Sequence, residues 1–122
     1  MSDDPGIVAP PRRGSARGRR SVGDRLREAI LAIAGDSGRV VEHSEKAWAS
    51  ITFAGSRHTL RLRFEGSGEV EAGEALVAAL PDHEFAIPRQ LVADADIVAV
   101  ESVALPSPRM EVTCELLLLE DA

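Results

Sequence analysis

Apolar residues first fall into a regular pattern just after Ser21. Val22, Leu26, Ile30 and Ile33 recur at intervals of four, four and three, which places them on one helical face. Ser21-Val22-Gly23-Asp24 ahead of that face has the form of a capping box, in which a hydroxyl and a carboxylate cover orphan amides of the first turn. Gly35 and Gly38 mark its end. The pattern then changes to period two. Three short β-like runs are predicted, over 39–43, 47–54 and 58–65, with Ala54-Gly55-Ser56-Arg57 as the hairpin turn between the second and third. In the third run His58, Leu60, Leu62 and Phe64 share one face, and Thr59, Arg61, Arg63 and Glu65 share the other.

Gly66-Ser67-Gly68 interrupts the alternation, and 69–80 reads as a second helix with Glu69 and Glu71 in its first turn and Pro81 as its stop. Strand-like runs follow over 84–87, about 91–105 and 109–119, with a turn at Pro106-Ser107-Pro108. Along the last run Met110, Val112, Cys114, Leu116 and Leu118 fall on one face. Leu117 and Leu119 interrupt an otherwise polar opposite face, so Leu116, Leu117, Leu118 and Leu119 predict burial on both sides of the strand, either beneath a neighbouring element or, at a sheet edge, in a dimer interface.

These elements predict an α+β fold of two layers: two helices packed on one face of an antiparallel sheet of five to six strands, in the order α-β-β-β-α-β-β(-β). A shift of 46 residues sets Glu28-Ala29-Ile30-Leu31-Ala32 on Glu74-Ala75-Leu76-Val77-Ala78, so the two halves read as a pseudo-twofold repeat of α-β-β-β. The element order is similar to that of bacterial secretion chaperones, a likeness of order alone with no motif behind it.

Charge divides the 122-residue chain unequally. Residues 1–27 hold seven of the 14 Lys+Arg residues and three acids, a net +4, whereas 28–122 carry a net −10. Residues 1–20 contain three Pro, three Gly and five Arg without apolar periodicity, so they are expected to be a disordered basic arm, and 21–122 a single domain. Arg12, Arg13, Arg17, Arg19 and Arg20 of the arm could contact phosphates or an acidic protein, or fold back on the acidic body. A −10 body with only one Trp and three Phe makes a poor nucleic-acid platform. Thirteen of the fourteen cations are arginine, as GC-rich bacterial coding sequence favours. No apolar run approaches the ~18 residues of a membrane span, and no secretory signal pattern is present, so a cytoplasmic location is expected.

Candidate chemistry is sparse. The single Cys114 forms no intramolecular disulfide and reads as a packing residue. His43, His58 and His83 have acids nearby but none of the fixed spacings of a metal signature. Asp94 and Asp96 point to one face of a strand, where a solvated surface is the simpler account than a cation site. No nucleotide fingerprint or phosphate-cradling loop occurs, and no metal or other cofactor is expected. The composition therefore favours a non-enzymatic module that binds a protein partner or forms a homodimer. The alternatives are a small-ligand protein or enzyme with a pocket between helices and sheet, which requires the histidines to converge, and nucleic-acid contact through the arm.

Overall fold

In the computed structural model, which describes residues 20–121, the chain runs α1 (Val22–Ile33), β1 (Arg39–Ala49), β2 (Ala54–Glu65), α2 (Ser67–Ala79), β3 (Gln90–Val103) and β4 (Arg109–Glu120). A 3-10 turn at Leu80–Asp82 extends α2. Arg12, Arg13, Arg17 and Arg19 lie outside the described residues, as does almost all of the predicted arm.

The two-layer α+β arrangement holds, but the sheet has four strands rather than five or six. It is antiparallel throughout, in the order β1-β2-β4-β3. Two sequence expectations account for the difference. The runs 39–43 and 47–54 belong mostly to one strand, because the polar stretch Ser44-Glu45-Lys46 lies in β1 at the sheet edge, where alternation is not required. The hairpin turn consequently falls at 50–53, with Ser50 N donating to Phe53 O (2.7 Å), and not at 54–57. The run 84–87 ends at Pro88, which has no N–H to give a ladder. Ile87 forms only an isolated bridge to Gln90 across a tight turn.

Each half is therefore α-β-β, not α-β-β-β. The order β1-β2-β4-β3 is unchanged when β1 is exchanged with β3 and β2 with β4, so the two units are arranged about a pseudo-twofold axis between β2 and β4.

Both helices cover the face that carries Leu60, Leu62, Phe64, Val112, Cys114, Leu116 and Leu118, all fully buried. Leu26 and Ile30 of α1 and Leu76 of α2 close the core from above. Each such side chain contributes roughly 1.5–3 kcal/mol by leaving water. The capping box forms as the sequence indicates: Asp24 N donates to Ser21 Oγ (3.0 Å) and Ser21 N to Asp24 Oδ2 (3.2 Å). Gly73 lets α2 sit close to the sheet, because a Cβ there would meet Phe64 Cδ2 at 2.8 Å and Met110 Sδ at 3.0 Å. Cys114 is one more core residue; burial pushes its thiol up to about 12, which keeps it protonated and unreactive.

Candidate functional site

Two strands and one helix bring six polar residues into a single hydrogen-bonded line. In the β1–β2 ladder Glu45 pairs with His58 and His43 with Leu60, so the two histidines are diagonal neighbours on the helix-covered face. Their rings lie 5.1 Å apart, and His43 Nε2 is 2.9 Å from His58 Nδ1. His58 Nε2 is 2.8 Å from Ser56 Oγ, two residues back on β2. On the other side His43 Nδ1 is 2.6 Å from Arg27 Nη1, and Arg27 Nη2 pairs with Asp24, which is held in turn by the Ser21 cap. His58 is fully buried and yet has a partner at each ring nitrogen, as a buried polar group requires.

The direction of this line follows from one residue. A guanidinium only donates, so His43 Nδ1 must accept from Arg27. His43 is then neutral with its proton on Nε2, donates to His58 Nδ1, and leaves His58 with its own proton on Nε2, pointing at Ser56 Oγ. The electrostatics agree. Burial, then the facing His58 and Arg27, hold His43 below the ordinary histidine value, and burial does the same for His58. In Asp24, the Ser21 backbone and side-chain hydrogen bonds, with Arg27 beyond them, keep the carboxyl below the usual range.

This arrangement decides what the site can do. A serine becomes a nucleophile when a neighbouring imidazole nitrogen accepts its proton. Here the nitrogen that faces Ser56 is already protonated, so the line fastens α1 to the hairpin and does not activate the hydroxyl. Open clefts of about 280 Å³ (Ser21, Val22, Gly23, Arg27, His43, Glu45) and about 430 Å³ (including Ser56, Gln90 and Glu120) flank it.

His43 and His58 do converge, then, whereas His83 lies exposed beyond the 3-10 turn with its ring edge against Phe85. Asp94 and Asp96 are exposed on the uncovered face, beside Leu117 and Glu115. Among the described residues no group of three or more His, Cys, Asp or Glu is placed to hold a metal ion. Ser56 and Arg27 escaped the sequence reading. A hairpin closed at 50–53 would have paired the two strands in this register, set His43 diagonal to His58 and put Ser56 in β2 on the same face as His58.

The uncovered face of the sheet is divided in two. One end is an ion-pair lattice in which Arg61 bridges Glu42 (2.7 Å) and Glu111 (3.1 Å), and Arg63 also reaches Glu111 (2.7 Å). The other end is apolar. A single row crosses all four strands there, Trp48–Gly55–Leu119–Leu91, with Leu117 one step inward. Gly55 is required in that row because a Cβ would run into the Leu118 carbonyl. Beside it the β1–β2 turn holds out Ile51, wholly exposed, and Phe53, half exposed; Leu91 is 57% exposed. β4 runs between β2 and β3, so the four leucines lie inside the sheet and not along its edge. Leu116 and Leu118 enter the core, Leu119 is buried within the apolar row and Leu117 is half-buried. Arg20, the one described residue of the arm set, is exposed and paired with Glu28.

No protein-family profile matches this chain, and neither does any curated protein. Among solved structures, a chain from the virion of a native gene transfer agent (GTA) particle has a similar fold, with a TM-score of 0.52 at 12% identity over 81% of this chain and 92% of that one. No helix among the described residues is long and apolar enough to cross a membrane.

Proposed function

We propose that this domain is a non-enzymatic protein-interaction module that docks into a multi-protein assembly through the apolar end of its uncovered sheet face. The observation that supports the reading is the row Trp48–Gly55–Leu119–Leu91 on the face that neither helix covers, with Leu91 exposed at its β3 end and Ile51 and Phe53 exposed in the turn at its β1–β2 end. Exposed aromatic and aliphatic side chains along one face, rimmed by charge, are characteristic of docking surfaces. Lys46 and Arg57 on the β1–β2 side and Asp94, Asp96 and Glu115 on the β4–β3 side give the row a rim of both signs, which would set a partner's orientation. The likeness in fold to a chain of a virion particle is in keeping with a role in assembly. A histidine-based enzyme is the weaker reading, since His58 presents a proton to Ser56 where a base is needed.

Self-association is the first form to test. In sedimentation at rising concentration the wild type is expected to form a dimer or larger species, and Leu91→Glu with Phe53→Glu to remain monomeric. A photo-crosslinker at position 91 identifies a different partner if the chain stays single. A monomer at every concentration together with no crosslink in cells would sink the proposal.

A further inference from the structure

We infer that the His43–His58 pair is an acid-sensitive latch, which holds the amino-terminal half of α1 on the sheet and lets it go when either ring takes a second proton. The latch rests on the covered face of the sheet and does not depend on docking through the open one.

The geometry carries the inference. Every member of the line from Arg27 to Ser56 donates in the same sense, and the two rings use all four of their nitrogens. A neutral imidazole has one donor and one acceptor, so the pair is satisfied with one proton on each ring. Add a proton to His43 and its Nδ1–H points at the Arg27 guanidinium, donor against donor. Add it to His58 and its Nδ1–H points at the Nε2–H of His43. The line cannot reverse to absorb the extra proton, because Arg27 has no acceptor to offer. Parting of Arg27 from His43 relieves either case while keeping the ring-to-ring bond, with the extra proton then on Nδ1 of His43, and these two residues join α1 to β1. Gly23, the residue before Asp24, packs on the same ring, with its nearest His43 atom at 3.3 Å from where a Cβ would stand.

The surroundings weigh on the switch from every element. From α1, Arg27 opposes a new charge and Asp24 favours it; from β1, Glu45, opposite His58 in the ladder, favours it. β2 contributes the Ser56 hydroxyl and the second ring. β4 presents Leu116 and Leu118 beside His58 and Ser56, and its Glu120 lines the cleft on which Ser56 opens. Burial outweighs the two carboxylates, so the latch stays closed at neutral pH and opens below the ordinary histidine range.

The test follows the full chain by NMR from about pH 7.5 to about pH 5, which brackets the ordinary histidine value of ~6.5. Ring 15N shifts at the upper pH should show both histidines protonated on Nε2 only. As pH falls, protection of the amides at 25–30 against hydrogen exchange, corrected for the intrinsic rate, should drop by about tenfold or more. His43→Gln with His58→Gln removes titration and keeps an acceptor and a donor at about the ring-nitrogen spacing, so its protection should stay flat. A proton found on Nδ1 of either ring at the upper pH, or wild-type protection unchanged with pH, overturns the latch. So does a double variant that loses as much protection as the wild type. The ring shifts and wild-type exchange decide the matter alone if the variant does not fold.

Discussion

α1 and α2 lie on the same face of the same sheet, each ahead of its own hairpin, but they are attached by different means. α2 is held by close apolar contact, with Gly73 against Phe64 and Met110 and Leu76 fully buried in the core. α1 buries Leu26 and Ile30 in that core but adds the line Arg27–His43–His58–Ser56 at its amino-terminal end. Apolar contact has no direction and does not titrate. A hydrogen-bonded line has both properties: it admits one arrangement of protons, and a charge placed in it breaks it. Two helices related by a pseudo-twofold axis thus respond differently to the same change in solvent.

Four perturbations separate them, in order of expected effect. Leu76→Ala removes a fully buried side chain beneath α2 and is expected to destabilise the fold by about 3 kcal/mol in urea unfolding, to the same extent at neutral and mildly acidic pH. Gly73→Val drives a branched side chain into Phe64 and Met110, at about 2 kcal/mol, again without pH dependence. Lowering the pH should act through the α1 side. The two histidines bind protons less tightly folded than unfolded, so below the ordinary 6.5 the unfolded chain takes up more protons; stability is full above 6.5, falls as pH drops through it, and levels off below the depressed folded values. An unfolding midpoint that is flat over this range would contradict the buried, neutral pair. Arg27→Met is the subtlest of the four, at about 1 kcal/mol. It should also free the line to reverse, so that ring 15N shifts report a mixture of tautomers where the wild type has one.

The faces of the strands were legible in the sequence because period-two alternation records burial directly. His58, Leu60, Leu62 and Phe64 on β2, and Met110 to Leu118 on β4, lie on the side that the pattern indicates. The capping box at Ser21 was legible for a similar reason, being a contact among residues three apart. The strand count was not. β1 is an edge strand whose middle, Ser44-Glu45-Lys46, faces water, and an edge strand imposes no apolar period by which to recognise its continuity. That one break displaced the turn from 50–53 to 54–57 and with it the register that joins His43, His58 and Ser56.

What the sequence determined by itself is therefore local and periodic: two helices, the cap of the first, the buried face of the long strands, and Cys114 as part of the core. Each follows from neighbours along the chain or from the solvent preference of alternate residues. Tertiary structure decided the rest. It put β4 inside the sheet, so that leucines on both of its faces are covered or half-covered by the fold itself, and it left Trp48, Phe53 and Leu91 along one end of the face opposite the helices. It also placed the Arg27 guanidinium against His43, and the protons of both histidines follow from that single donor. No periodicity encodes such a contact, because it depends on the register of one hairpin and on where one helix comes to rest above it.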